Sequence, residues 1–190
     1  MSKLSVVNPF KPLLSQQEAG VAARAGALGA FLTAASGVLG TVRLYLQKDA
    51  MLAIVRESTN LQSTDPEVAR QASAMIEPVA IYVPMGTSIM VIVIYLVFGL
   101  IQWRRRTKMI PLIMFLFSAW GVIMGFLGLF ITRTPAQAAL MPPGWQMVLN
   151  WALEVVILAL FWAGVRGGSW LQKSRSAAPT SANPPASSAR

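Results

Sequence analysis

The chain has 190 residues, enough for one domain, and is 55% hydrophobic and 12% charged, with a mean hydropathy of +0.56. Soluble domains carry about 25% charged residues, so this composition excludes an ordinary water-soluble fold. The absence of Cys and His excludes disulfides, thiol chemistry, Cys/His metal sites and His-dependent triads. The net charge of +9 does not indicate nucleic-acid binding, because the basic residues flank long uncharged runs.

Four runs have almost no charge, and a helix that crosses a bilayer takes about 20 apolar residues. The runs are residues 25–42, 78–103, 109–132 and 134–165, and the only charged residue within them is Glu154. The first run is short and needs its flanks Arg24 and Arg43, whose side chains can reach the headgroups. We therefore predict an all-α integral membrane protein, a four-transmembrane-helix bundle with a helical extracytoplasmic connection.

The predicted segments follow in chain order. They are a cytoplasmic tail (1–15), transmembrane helix 1 (16–46), an extracytoplasmic helical hairpin (47–78), transmembrane helix 2 (79–103), a basic cytoplasmic turn (104–109), transmembrane helix 3 (110–132), an extracytoplasmic loop (133–144), transmembrane helix 4 (145–168) and a disordered cytoplasmic tail (169–190).

The first predicted span begins at a capping box and is rich in small residues. Ser15 and Glu18 have the spacing with which a helix start satisfies two backbone N–H groups, so the helix should begin near residue 16. Small residues, including Gly29 and Gly37, recur along its middle. Such residues let helix backbones approach closely in lipid, so both glycines are candidate packing positions.

The hairpin over 47–78 carries more acidic than basic residues. Asp65 can cap a second short helix with Pro66 at its first position, and Pro78 should separate that helix from the span that follows. The sequence leaves open whether the hairpin packs on the bundle, lies in the membrane interface or binds a partner.

The second and third spans each contain a residue pattern that affects helix shape or packing. Pro84 lies near the start of the second span and is expected to kink it. Gly121 and Gly125 form a GxxxG pattern in the third span, which is typical of close helix contact in membranes. Both glycines are therefore candidate packing positions.

The turn between the second and third spans sets the orientation. It contains Arg104, Arg105, Arg106 and Lys108 with no acid, which predicts a cytoplasmic location and contact with anionic lipid headgroups. An even number of spans then places both termini in the cytoplasm. From composition and compactness we expect a bacterial inner (plasma) membrane.

Glu154 is the one acid within a predicted span, near mid-depth. An ionised carboxyl there costs about 2.5–3.5 kcal/mol on insertion scales. Gln146 and Asn150 precede it at intervals of four residues, so the three side chains line one face of a helix. This candidate polar site has three interpretations: hydrogen bonds between helices of the chain, a proton- or cation-binding acid reached from outside, or contact with another subunit.

A single membrane glutamate resembles the arrangement in small multidrug antiporters, which couple drug and proton exchange through such a residue. Here the glutamate is in the last span rather than the first, and the chain is longer. The resemblance implies proton-coupled transport as an expectation and transfers no residue role.

No enzymatic site is indicated. One membrane acid cannot form a carboxylate dyad or a carboxylate metal centre, and no phosphate-binding glycine loop is present. We therefore expect no cofactor and a non-enzymatic accessory, scaffold or assembly subunit, which works with other membrane subunits or as a homo-oligomer. The alternative is a small proton- or cation-coupled transporter that uses Glu154.

Overall fold

The structure is a computed structural model that describes residues 12–62, 65–131, 138 and 141–177. The described residues form five long helices and no strand: α1 (Gln16–Leu46), α2 (Lys48–Gln62), α3 (Pro66–Arg105), α4 (Met109–Gly128) and α5 (Gly144–Ala177). The first eleven residues of the predicted N-terminal tail, most of the predicted loop at 133–144 and residues 178–190 of the predicted C-terminal tail lie outside the described residues.

Four helices are long and apolar enough to cross a membrane: α1, α3, α4 and α5. Large apolar side chains cover their outer surfaces, including Leu39, Phe117 and Val148, each at least 68% exposed. Only 6% of the most apolar 18-residue stretch of α3 is buried inside the protein. A continuous apolar exterior of this extent needs lipid to cover it. The predicted all-α, multi-pass membrane fold is therefore confirmed.

Side-chain caps define two helix starts where the sequence predicts them. The Ser15 hydroxyl accepts from the backbone N–H of Glu18 at 3.2 Å, and the Glu18 carboxylate accepts from the N–H of Leu14 at 2.8 Å. The Asp65 carboxylate accepts from the N–H of Glu67 at 2.9 Å, with Pro66 at the first helical position. The capping predictions are confirmed at both positions.

Helix α3 is continuous, whereas the sequence predicts a short helix, a break at Pro78 and a separate span. Its 40 residues contain both Pro78 and Pro84 and extend about 60 Å at 1.5 Å per residue. This is about twice the hydrocarbon thickness, so one end of α3 projects beyond the span and pairs with α2. Each proline removes one helical hydrogen bond, and the long flanking segments maintain the helix through both.

Helix α5 continues to Ala177, whereas the sequence predicts a disordered tail from residue 169. The additional turns are anchored because Leu171 is buried against Ala19 and Ala23 of α1, with Trp170 packed beside it. Burial of the apolar Leu171 side chain stabilises these turns as helix, and the composition of the tail does not predict that burial.

Helix α1 lies at the centre and packs extensively on both α3 and α5. Its first half contacts α5 through alanine and glycine. A Cβ atom built at Gly164 would lie 2.7 Å from the Cα of Gly26, and one at Gly167 would overlap the backbone of Ala19 and Ala23. The α1–α5 interface therefore depends on direct contact between the two backbones.

Larger and polar side chains hold α1 against α3. Gly99 accommodates the Phe31 ring, because an added Cβ would lie 2.8 Å from a ring carbon. The hydroxyls of Thr41 and Ser88 are 2.6 Å apart and hydrogen-bond across the interface. The fully buried Gln102 donates from its amide to the carbonyl of Ala23 at 3.1 Å.

Candidate functional site

Helix α4 packs mainly on α5 and has few contacts with α3, although α3 precedes it in the chain. The two helices therefore leave a cavity of about 360 Å³ between them, floored by α1 and α5, which we call the α3–α4 groove. Its lining consists of Thr33, Val91, Tyr95, Phe117, Ser118, Gly121, Val122, Gly125, Asn150, Trp151 and Glu154.

The carboxyl group of Glu154 faces this groove. The side chain is half-buried, and no side chain or backbone group in the described part of the chain hydrogen-bonds to it. A carboxyl group without a protein partner in an apolar site can bind a proton, a cation or an external hydrogen-bond donor. The groove is therefore the candidate site for binding.

Polar groups from all four spanning helices surround the groove. Asn150 lies one helical turn from Glu154 on α5. The Tyr95 and Ser118 hydroxyls are 3.4 Å apart and bridge α3 and α4, while the Thr33 hydroxyl donates to the carbonyl of Gly29 within its own helix. The groove thus combines a few polar atoms with predominantly apolar walls, the usual make-up of a ligand or helix-binding site.

Of the predicted polar stripe, Asn150 and Glu154 line the groove together, whereas Gln146 is half-buried one turn further toward the start of α5. Tyr95 and Trp151 also line the groove, and the sequence does not predict their place there. Tyr95 lies within a predicted span, whereas tyrosines in membrane proteins are usually found at the membrane interfaces. This unusual position is the sequence feature that could have indicated a functional role for Tyr95.

The candidate packing glycines have different surroundings. A Cβ built at Gly29 would lie 3.0 Å from the Phe161 ring, and one at Gly37 would lie 2.8 Å from Ile92. At Gly125 the nearest atom belongs to the Trp151 ring, 3.6 Å away, and at Gly121 no atom lies within 4 Å. Gly29 and Gly37 thus permit contact within the chain, whereas Gly121 is open to the groove.

The tightest glycine contacts are at Gly164, Gly167 and Gly168 in α5, which the sequence argument did not single out. In the sequence, these glycines belong to a cluster of small residues over 163–168. The first span has a similar run of small residues, and the two together could have indicated close contact between these helices.

Three of the four predicted headgroup-contact residues line a second cavity. Arg105, Arg106 and Lys108 surround it together with Arg175 from α5, whereas Arg104 does not line it. At the opposite end of the bundle, Arg56 of α2 and Glu77 of α3 form an ion pair, with hydrogen bonds of 2.7 and 3.2 Å. The bond to Glu77 raises the pKa of the Arg56 guanidinium above its ordinary value.

Among the described residues, no three Asp, Glu, His or Cys side chains are grouped so that they could hold a metal ion. The chain matches no protein-family model, no curated protein and no solved structure. The four apolar helices identify the chain as a multi-pass membrane protein.

Proposed function

We propose that this protein is a non-enzymatic membrane subunit that binds a transmembrane helix of another protein in the α3–α4 groove. The observation that carries the proposal is the composition of the groove. It presents an open glycine face of α4 beside the carboxyl of Glu154, and the chain's own helices do not fill it.

Membrane helices associate through these two features. Small residues allow the backbones to approach closely, and polar side chains hydrogen-bond across the interface. Gly121 and Gly125 supply the first feature, while Asn150 and Glu154 supply the second. Each interhelical hydrogen bond contributes about 0.6 kcal/mol on average and up to about 2 kcal/mol.

The charge of the groove favours a different protein over a second copy of this chain. The four uncharged runs (25–42, 78–103, 109–132 and 134–165) contain no Lys or Arg, so a second copy would bring no cation to the mid-depth of Glu154. A helix with an arginine, lysine or amide side chain at mid-depth would complement the carboxyl. A homo-oligomer is accordingly an outcome of the test rather than the proposal.

Photocrosslinking from the groove tests this proposal. A benzophenone amino acid replaces Phe117, which lines the groove, or Leu116, which is 59% exposed but lies outside it. The two positions differ by about 100° around the helix at nearly the same depth. We expect a discrete heterologous adduct from position 117 in native membranes, and none from position 116.

Second-site variants show whether the adduct depends on the groove. Gly121→Leu should abolish it by filling the groove, and Glu154→Leu should weaken it by removing the acceptor. Gly86→Leu is the matched control, because no atom lies within 4 Å of a Cβ at Gly86. An adduct with a second copy, with lipid alone, or one unaffected by Gly121→Leu would contradict the proposal.

A second function, proton- or cation-coupled transport, is favoured by the Glu154 carboxyl, which faces a cavity without a hydrogen bond from the described residues. Glu154→Gln removes the ionisable group but keeps its size, so the fold should be retained. Loss of pH-driven flux in proteoliposomes with Gln at 154 would support transport. An equally active Gln variant, or absence of flux in the wild type, would exclude this transport function.

We further propose a bacterial inner membrane as the location, with the 47–78 hairpin outside and both termini in the cytoplasm. The support is the cluster of basic residues at the α3–α4 turn and the end of α5, which contrasts with the acidic balance of the hairpin.

A further inference from the structure

The cavity at the α3–α4 turn collects four cations from two elements of the fold. It has a volume of about 390 Å³ and lies between the turn and the last turns of α5. Arg105, Arg106 and Lys108 line it from the turn, and Arg175 lines it from α5. We refer to it as the basic cavity. It is far from the Arg56–Glu77 pair along α3 and separate from the α3–α4 groove.

Backbone contacts hold the basic cavity in shape. Arg106 ends α3 in the left-handed conformation, with φ 49°, and its N–H bonds to the carbonyl of Gln102. The Thr107 hydroxyl donates to the Gln102 side-chain oxygen at 3.2 Å. Gly168 lets the turn rest on α5, because a Cβ there would lie 2.7 Å from the backbone N of Lys108. The cations therefore project from a rigid turn.

The four cations have no carboxylate partner among the described residues. The chain contains seven acidic residues. One of them, Glu18 in the first turn of α1, uses its carboxylate to accept a hydrogen bond from the backbone N–H of Leu14. No acidic residue occurs after Glu154 in the sequence. Convergent positive charges repel one another, so an anion from outside the chain would stabilise this arrangement.

The donor chemistry fits phosphate. Arginine presents a planar fork that binds phosphate oxygens in pairs, and lysine adds a point charge. Helix α4 begins beside the cavity, and its N-cap residue Lys108 makes no side-chain capping hydrogen bond. The first backbone N–H groups of α4 and its dipole therefore add to the attraction for an anion.

We propose that the basic cavity binds the phosphate of an anionic phospholipid headgroup. A lipid is favoured over free phosphate because Met109 and Leu171 also line the cavity, which lies at the end of the apolar spans. The phosphate would occupy the cavity while the acyl chains continue along the exposed apolar surface of the bundle.

Native mass spectrometry of the full chain in detergent tests this assignment. The probes are phosphatidylglycerol and phosphatidylcholine of equal chain length, with inorganic phosphate as a competitor. The test variant is Arg105→Gln with Arg175→Gln. The matched control is Arg104→Gln with Lys173→Gln, which removes the same charge nearby but from residues outside the basic cavity.

We expect the wild type to bind phosphatidylglycerol at least about tenfold more tightly than phosphatidylcholine, because the choline cation would be repelled by the four cations of the cavity. The test variant should lose about tenfold, since hydrogen bonds to charged groups are the strong ones. The control should change by less than about threefold, as for surface charges. An unchanged gel-filtration profile establishes that both variants fold.

Three results would overturn the proposal. Equal loss in the test and control variants would indicate non-specific attraction to total charge. Equal binding of the two lipids by the wild type would show that the net negative charge of the headgroup is not recognised. Displacement of the lipid by millimolar inorganic phosphate would show that the site binds free phosphate instead.

Discussion

Gln102 is a fully buried polar side chain that joins three parts of the fold. Its amide donates to Ala23 of α1, and its oxygen accepts from Thr107 in the turn that supports the basic cavity. A polar side chain is retained in an apolar interface when its hydrogen bonds offset the cost of its desolvation. Gln102 therefore links the position of the turn to the α1–α3 interface.

Substitution of Gln102 should weaken this link. We expect Gln102→Leu to lower the free energy of unfolding in detergent by about 1 kcal/mol, within the range of membrane hydrogen bonds. Gln71→Leu, at an exposed position of the same helix, is the control and should have little effect. A Gln102→Leu protein as stable as the wild type would show that the hydrogen bonds contribute no net stability.

Glu154 illustrates what a single residue reveals before the fold is known. The sequence identified it because one acid in an apolar run is costly, and Asn150 followed from helical spacing. Tyr95 also lines the groove, but it belongs to another helix. The position of Tyr95 beside Glu154 depends on how the helices pack, which no residue pattern within one helix predicts.

The helices show a similar division between local and long-range information. Caps at Ser15 and Asp65 depend on neighbouring residues, and the sequence predicted both. The continuity of α3 through Pro78 depends on its long flanking helical segments, and the extension of α5 past residue 169 depends on packing against α1. Local rules treat proline and small polar residues as helix ends, and longer-range structure overrides them here.

The α1–α5 interface should be the most sensitive to added volume. Gly167→Ala places a methyl group onto the backbone of Ala19 and Ala23, which cannot shift independently of α1. We expect a loss of about 1–3 kcal/mol in unfolding free energy, the usual cost of overpacking.

Gly40→Ala is the control for this overpacking, because a Cβ at Gly40 meets no atom within 4 Å. It should be neutral or slightly stabilising, since alanine favours helix more than glycine does. Equal unfolding temperatures for Gly167→Ala and Gly40→Ala would show that the backbones of α1 and α5 are not in direct contact at Gly167.

The Arg56–Glu77 pair joins α2 to the first part of α3, and we expect it to contribute to the alignment of the two helices. We expect Glu77→Arg alone to speed amide hydrogen exchange in α2, because two like charges would then face each other. Adding Arg56→Glu restores opposite charges and should slow the exchange again. Failure of the second change to restore protection would mean that the pair does not align the two helices.

At the level of the whole molecule, the described helices form an open arrangement rather than a closed bundle. Helix α1 joins α3 to α5, α5 carries α4, and the gap between α3 and α4 is the groove. The four-helix membrane fold followed from hydropathy, because lipid requires long apolar helices. The order of helices around α1 did not follow, because small-residue patterns predict close contact without naming the partner.

Both proposed sites assume that the chain crosses the membrane four times in alternating directions. The basic cavity then lies on one side, and the Arg56–Glu77 hairpin lies on the other. The native sequence contains no cysteine, so one introduced thiol reports one position without background labelling.

Labelling of single cysteines in intact cells with a membrane-impermeant maleimide tests this arrangement most directly. The four variants are Ser58→Cys, Thr107→Cys, Ala138→Cys and Ser176→Cys. We expect labelling from outside at 58 and 138, and at 107 and 176 only after the membrane is permeabilised. Labelling of positions 58 and 107 from the same side would contradict the four-span account and both proposed sites.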